Sequence, residues 1–209
     1  MIIRQITKNS EDVQIVSELY EQSFPEAERL PFEALLNLLS VAEIDFCSYY
    51  LDNHFIGFTY TFTVGNLCWF FYFAVVPEKR GEGIGTEILR SVLERHKQSL
   101  IVIDVEHVEQ PSEQDGTAPA GLATPEMRRR RYDFYCRNGF RDSGVRRSFG
   151  GVTYQILVCG EGTILDNEYS NLIRIMWKRL KKRVYKNRDA NRVSTWHKHL
   201  KGEYSPFFI

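Results

Sequence analysis

Three glycines at alternate positions form the segment of this sequence best suited to binding a ligand. Gly81, Gly83 and Gly85 stand between an apolar run and a helical pattern, directly after Arg80. Glycine has no Cβ, so backbone N–H groups there can approach a ligand closely. The first N–H groups of a helix also lack intrahelical partners and lie at the positive end of its dipole. The segment therefore predicts a phosphate-binding loop, with the charge of Arg80 beside it.

Three alternative interpretations of this loop fit the sequence less well. A P-loop requires GxxxxGK[ST], which the sequence lacks. A dinucleotide-binding fold requires GxGxxG directly after a strand and an acid about 20 residues further on. Asp104 could be that acid, but residues 77–80 separate the apolar run from the glycines. The third alternative is a turn whose glycines serve packing alone, and the position of Arg80 beside alternate glycines argues against it.

The residues around the loop predict strands and helices that would hold it in place. Aromatic and β-branched residues dominate 46–51 and 55–64, on either side of Asp52-Asn53, which predicts a hairpin. Residues 67–76 are apolar without interruption, and a strand with no polar face is expected at the centre of a sheet. The other predicted strands are 2–7, 100–105, 140–148 and 152–158, and the predicted helices begin near residues 13, 32, 84, 127 and 167. We therefore expect an α/β fold with a mixed α+β sheet and helices on both of its faces.

Two segments resemble landmarks of the GNAT superfamily of acetyltransferases. Residues 80–85 (RGEGIG) match the R/Q-x-x-G-x-G/A signature, and residues 134–140 (FYCRNGF) resemble the FYxxxGF landmark at the end of a helix. Residues 73–77 are similar to the end of the family's fourth strand, and the order of elements agrees up to about residue 160. The resemblance implies a GNAT-like acyl-CoA N-acyltransferase fold over residues 1–160 and a basic helical C-terminal extension over 161–209.

The resemblance also implies that acetyl-CoA binds as co-substrate in a gap between the strands 67–76 and 100–106. Backbone groups of Ala74, Val75 and Val76 would bind the pantetheine arm as they would bind an added peptide strand. The pyrophosphate would bind the N–H groups of the glycine loop. The loop residues expected to bind the cofactor are Arg80, Gly81, Glu82, Gly83, Ile84, Gly85 and Thr86. Most of this binding would be made by the backbone.

The implied reaction is transfer of the acetyl group to a primary amine by direct attack on the thioester. It requires a base for the amine's proton, donors for the oxyanion and a donor for the leaving thiolate. Tyr135, in the FYxxxGF landmark, suits the last role, with packing against the sheet as the alternative. Glu106 is the candidate base, because Asp104 and Glu106 share one face of their strand. A solvated strand-end carboxylate is the alternative for Glu106, and His107 is a second candidate base. The N–H of Val75 is the candidate oxyanion donor.

The acceptor amine, on a small molecule or a polypeptide, is not identified by any motif. Glu26, Glu28 and Arg29 lie in the loop that borders the acceptor site in the family, so they are expected to bind the acceptor. A solvated charge cluster is the alternative. Residues 128–131 are four consecutive arginines, and one of them is expected to reach the adenosine 3′-phosphate while the others remain solvated. The competing function is a non-catalytic acyl-CoA-binding sensor or scaffold.

The charge of the chain is distributed unevenly, although its 27 basic and 27 acidic residues cancel. Residues 171–209 hold 11 Lys+Arg and 2 Asp+Glu, while residues 1–170 hold 16 and 25. An amphipathic helix is predicted from residue 167 to about 186, with Tyr169, Ile173, Met176, Leu180 and Val184 on its apolar stripe. We expect the stripe to pack on the body or on a second copy in a homodimer. Binding of nucleic acid through the basic segment is the less favoured alternative.

Length and composition exclude several classes of protein. A chain of 209 residues and 24.5 kDa, 43% hydrophobic and 26% charged, is typical of one globular domain with an appendage. No apolar run of about 18 residues predicts a membrane helix, and no signal peptide is evident. The four cysteines form no CxxC pair, and no histidine stands at a metal-ligand offset. We therefore expect reduced thiols, no metal and a cytoplasmic protein.

Overall fold

A seven-stranded sheet forms the centre of the computed structural model, which describes residues 1–41, 43–110, 123–149 and 151–184. The strands are β1 Ile2–Gln5, β2 Ile44–Leu51, β3 His54–Val64, β4 Leu67–Val75, β5 Leu100–Glu106, β6 Arg141–Phe149 and β7 Val152–Cys159. The helices are α1 Val13–Ser23, α2 Phe32–Leu38, α3 Ile84–Arg95, α4 Pro125–Arg137 and α5 Asp166–Val184. In space the strands follow the order β1-β2-β3-β4-β5-β7-β6, and only β4 and β5 are parallel neighbours. The predicted mixed α/β sheet is confirmed.

β4 and β5 separate soon after they begin. Their pairing covers three positions and ends where Trp69 lies opposite Val102, although β4 continues to Val75 and β5 to Glu106. The register of β4 against β3 also shifts beside Thr61, which marks a β-bulge. The sheet therefore contains a wedge-shaped gap that opens toward the carboxyl ends of these two strands, between the strands that the resemblance indicates.

The predicted central position of β4 is confirmed, because both faces of the strand are covered. Trp69, Tyr72 and Ala74 belong to a large core cluster on one face of the sheet. Cys68 and Phe70 belong to a second cluster on the other face. α1, α2 and α5 cover the first face, while α3 and α4 cover the second.

α5 packs on the body of the protein. Its buried side chains join the large core cluster beside α2; they are Tyr169, Leu172, Ile173, Met176 and Leu180. The predicted apolar stripe is therefore covered by the chain itself as far as the structure describes it. The boundary at residue 160 stays a prediction, and residues 185–209 of the predicted extension lie outside the described residues.

Local structure differs from the prediction at the start of α4. α4 begins at Pro125, two residues before the predicted start, because the Thr124 side chain accepts the N–H of Met127 and caps the helix. Of the predicted loop 107–124, residues 111–122 lie outside the described residues. In the described part of the chain, no helix is both long enough and apolar enough to cross a membrane.

The close approach of β3 to β4 at Gly57 allows a test of the sheet geometry. A Cβ built on Gly57 would lie 2.4 Å from the carbonyl oxygen of Ala74, which is backbone and cannot turn away. We expect Gly57→Ala to lower the free energy of unfolding by about 1–3 kcal/mol, and to lower the melting temperature by roughly 2–4 °C per kcal/mol.

Gly85→Ala is the matched control, because its Cβ would lie 3.5 Å from the ring of Phe134, an ordinary contact. Thermal and urea unfolding of both variants measure the difference. A melting temperature of Gly57→Ala equal to that of the wild type would contradict the close approach of β3 to β4.

Candidate active site

A cavity of about 1220 Å³ occupies the gap between β4 and β5 and reaches both faces of the sheet. On one side it is bordered by the glycine loop and α4, and on the other by the segment after α1, by β7 and by α5. The cavity-lining residues from the predicted cofactor set are Ala74, Val75, Arg80, Gly81, Gly83, Gly85 and Thr86. One continuous cavity can therefore hold two substrates that approach from opposite faces.

The glycine loop has a backbone conformation that other residues adopt poorly. Gly81 and Gly83 have φ values of 83° and 85°, in the left-handed region. A Cβ on either residue would meet nothing within 4 Å, so packing does not explain these two glycines. Gly85, by contrast, packs against the ring of Phe134. The interpretation as a packing turn therefore fits Gly85 and does not fit the other two.

The start of α3 directs free N–H groups into the cavity. Gly83 is the N-cap of the helix, and its carbonyl oxygen accepts the N–H groups of Thr86 at 2.9 Å and Glu87 at 3.2 Å. The N–H groups from Gly81 to Gly85 have no protein acceptor among the described residues. They combine with the helix dipole to favour a bound anion.

The side chains of the glycine loop differ in whether they reach the cavity. The Nε of Arg80 donates to the carbonyl oxygen of Val75 at 2.9 Å, which places the guanidinium at the cavity wall. Glu82 pairs with Lys79 at 3.1 Å outside the cavity, and the side chain of Ile84 is buried in the core. For Glu82 and Ile84 only the backbone is available to a ligand.

Only one of the three β4 residues expected to bind the pantetheine arm has backbone groups that face the gap. The N–H of Val76 donates to the carbonyl oxygen of Ile56 at 3.1 Å, so it belongs to the β3 ladder. Ala74 pairs with β3 in the same register, and alternate residues of a strand direct their backbone groups to opposite sides. Val75 is therefore the residue of the three that faces the gap. Arg80 already occupies its carbonyl, which leaves its N–H for a substrate.

Tyr135 borders the cavity from the α4 side. Its side chain is buried, with edge-on contacts to Phe134 at 5.1 Å and Phe140 at 5.4 Å between ring centroids. Burial raises the pKa of its phenol above the ordinary value, while the charge of Arg131 lowers it to a smaller extent. The hydroxyl is therefore neutral and able to donate a hydrogen bond at the cavity.

Glu106 lies at the cavity end of β5 and is 3% exposed, so the alternative of a solvated carboxylate is wrong. Both of its oxygens are engaged: Arg131 Nη1 lies 3.0 Å from Oε2, and the N–H of Ala123 donates to Oε1 at 3.1 Å. The ring of His107, the second candidate, accepts the N–H of Glu109 at 3.2 Å and does not line the cavity.

Asp104 shares the face of β5 with Glu106, as the alternation predicts, and it lines the same cavity. Its Oδ1 is buried and has no hydrogen-bond partner among the described residues. Burial raises the pKa of this carboxyl to about 7, and hydrogen bonding to the side chains of Tyr169 and Trp69 lowers it to a smaller extent. The sequence did not indicate that α5 would contribute Tyr169 to this site.

The three predicted acceptor residues occupy different environments. Glu28 lines the cavity, where the hydroxyl of Tyr154 donates to its carboxyl at 2.9 Å, and burial raises the pKa of that carboxyl. Glu26 is exposed, and Arg29 donates to the carbonyl oxygen of Glu21 at 3.4 Å. Neither lines the cavity.

The run of arginines on α4 also separates by environment. Arg130 and Arg131 line the cavity, whereas Arg128 is 1% exposed and donates to the carbonyl oxygen of Gln110 at 2.8 Å. A buried arginine within the run was not expected. Among the described residues, no group of three or more His, Cys, Asp or Glu side chains could hold a metal ion.

Three solved structures with a similar fold are described as acetyltransferases, and their sequence identity to this chain is low. A GNAT-family protein from Bacteroides thetaiotaomicron is 22% identical with a TM-score of 0.64, over 84% of this chain and 96% of that one. An aminoglycoside 6′-N-acetyltransferase complexed with coenzyme A is 15% identical with a TM-score of 0.59, over 79% and 100%. The ribosomal-protein-S18-alanine N-acetyltransferase from Escherichia coli is 14% identical with a TM-score of 0.54, over 79% and 98%.

These likenesses show the fold, and no curated protein sequence matches the chain significantly. The family itself is shown by the family model, described as the acetyltransferase (GNAT) family, which matches residues 13–114 from α1 through β5. Residues 13–114 of the chain therefore form a GNAT-family acetyltransferase domain.

Proposed function

We propose that the protein transfers an acetyl group from acetyl-CoA to a primary amine, by direct attack of the amine on the thioester. The observation that carries this proposal is the row of unpartnered N–H groups at the glycine loop, which opens into the gap between β4 and β5. One of the solved structures with this fold contains coenzyme A, which supports acetyl-CoA as co-substrate. Family membership supports an enzyme over a non-catalytic sensor or scaffold.

The residues present fit the parts of coenzyme A. The N–H groups from Gly81 to Gly85 would bind the pyrophosphate, and the guanidinium of Arg80 would add a fixed charge. The N–H of Val75 would bind the pantetheine arm or the thioester oxygen, because it faces the gap. Arg130 at the cavity wall is suited to the adenosine 3′-phosphate.

The two faces of the cavity divide the chemistry between them. The amine would enter from the α1, α2 and α5 side, where Glu28 contacts the cavity, and lose its proton to Asp104 or Glu106. The N–H of Val75 would stabilise the oxyanion that forms as nitrogen attacks. Tyr135, on the opposite face, would donate a hydrogen bond to the departing sulfur. The enzymes of known fold act on aminoglycosides and on a ribosomal protein, so small and polypeptide amines both belong in the test.

The direct experiment has two parts. Calorimetry measures binding of coenzyme A, and thiol release is then followed with acetyl-CoA and a panel of amines: 1,4-diaminobutane, tyramine, lysine and a peptide with a free N-terminus. Binding of coenzyme A with amine-dependent thiol release supports the enzyme. Binding without release at any amine favours a sensor, and no binding contradicts both functions.

We also propose a cytoplasmic location, which the four free cysteines and the use of acetyl-CoA support. A homodimer through α5 stays a prediction, and it would have to use faces of the helix other than the covered apolar stripe.

Gly83→Ala is expected to weaken binding of coenzyme A about tenfold or more. The added Cβ would project into open space where the phosphates bind, and alanine is disfavoured at a φ of 85°. Calorimetric titration with coenzyme A measures the change.

Gly162→Ala is the matched control, because Gly162 has a φ of 83° with open space around it and does not line the cavity. Both variants should lose similar stability, and only Gly83→Ala should lose affinity. Equal affinities of the two variants for coenzyme A would show that this loop does not bind the phosphates.

Tyr135→Phe is expected to lower kcat about 100-fold while the dissociation constant of coenzyme A stays unchanged. The ring and its packing remain, and only the hydroxyl at the cavity is lost. Tyr132→Phe controls for the loss of a hydroxyl on the same helix, since Tyr132 does not line the cavity. If both variants keep the wild-type kcat, Tyr135 has no part in protonating the thiolate.

A further inference from the structure

We propose that Asp104 is the general base that takes the proton of the acceptor amine, and that α5 positions it through Tyr169. This inference rests on the proposed acetyl transfer and deepens it. It assigns the base among the two carboxyl groups on β5, and it gives the helix after β7 a part in catalysis.

The geometry separates Asp104 from Glu106. Both oxygens of Glu106 already accept hydrogen bonds, one of them from the guanidinium of Arg131. Each oxygen of Glu106 is therefore already occupied by a donor from the protein. Asp104 has a buried Oδ1 with no partner among the described residues, at the wall of the cavity. Among the described side chains no ion pair joins a lysine or arginine to Asp104.

The groups that face Asp104 come from four elements. Tyr169 from α5 and Trp69 from β4 are its hydrogen-bonding neighbours. Burial raises the pKa of Tyr169 and of Tyr154 on β7, and the charge of Asp104 adds to both shifts. Glu106 lies two residues along β5 on the same face. Burial of Asp104 among these groups favours uptake of a proton, while hydrogen bonding to Tyr169 and Trp69 opposes it to a smaller extent.

Two further charged residues, Arg147 and Glu28, contact neighbours of Asp104. Arg147 on β6 stacks over the ring of Tyr169 at 5.9 Å and donates to the hydroxyl of Ser170 at 2.7 Å. Glu28 accepts the hydroxyl of Tyr154. Arg147 thus contacts the ring that positions Asp104, and its guanidinium is already bonded to α5.

The proton balance of the step is simple. The ammonium N–H breaks and an O–H forms on Asp104 Oδ1, which frees the nitrogen lone pair. The C–N bond forms and the C–S bond breaks, while the second nitrogen proton passes to sulfur by way of the Tyr135 hydroxyl. Asp104 then releases its proton to solvent as the amide product leaves, so neither an oxidant nor a metal is needed.

The kinetic test uses the fastest amine of the panel above and measures kcat/KM from pH 5 to 9. The wild type should show a rate that rises with pH through about 7. Asp104→Asn should lower kcat/KM about 100-fold or more and remove this dependence. Glu106→Gln should keep the rise at the same pH. The reverse pattern, with the rise lost only in Glu106→Gln, would overturn the proposal.

Tyr169→Phe tests the positioning role of α5. Hydrogen bonding to Tyr169 lowers the pKa of Asp104, so its loss should move the rising limb to higher pH. A purely structural role of Tyr169 would change the rate without moving the limb, and that result would remove α5 from the proposal.

A third measurement needs no acceptor. The pKa of Asp104 is raised in the folded state from 3.8 to about 7, so the folded protein keeps a proton that the unfolded chain releases in that interval. Stability of the wild type should therefore fall as pH rises from 4 to about 7, relative to Asp104→Asn, which cannot ionise. The melting temperature of Asp104→Asn should exceed that of the wild type by an amount that grows up to about pH 7 and is constant above it.

A constant difference between the two melting temperatures from pH 5 to 8 would overturn the proposal even without a known acceptor. Failure of the proposed function looks different, because then the wild type would not bind coenzyme A or would not release thiol.

Discussion

The structure depends on the parting of two parallel strands in the middle of a sheet. Strand backbone in a protein interior needs a hydrogen-bond partner for every N–H and C=O, yet β4 and β5 exchange none past Trp69 and Val102. Arg80 meets part of this need when its side chain bonds the carbonyl of Val75. The remaining groups suit a ligand that carries amides of its own, so the same interruption that weakens the sheet creates the site.

The gap also brings side chains from opposite faces of the sheet to one cavity. Tyr135 belongs to the core under α3 and α4, whereas Asp104 belongs to the face under α1, α2 and α5. Each side chain is buried on its own face of the sheet. Burial raises the pKa of the Tyr135 phenol, which stays neutral, and raises the pKa of the Asp104 carboxyl to about 7. If the two side chains shared one face they could bond each other, and neither would be available to a substrate.

Sequence patterns predicted the parts of the site that depend on residues close together in the chain. The glycine loop, the buried strand β4 and the aromatic pair at the end of α4 follow from neighbouring residues alone. The ion pair of Glu106 with Arg131 and the contact of Asp104 with Tyr169 join distant segments, and periodicity carries no information about such contacts. The orientation of the Val75 backbone depends on the register with β3, which no sequence pattern specifies.

The placement of α5 has a consequence for how this enzyme could diversify. The helix follows the last strand, yet its residues wall the side of the cavity opposite the glycine loop, together with the segment after α1. In the proposed function, the nucleotide and the amine are thus recognised by separate stretches of chain. If the proposed sites are right, mutations after Cys159 would alter the choice of amine and leave the nucleotide site intact, so the C-terminal segment is where evolution could give this domain a new substrate.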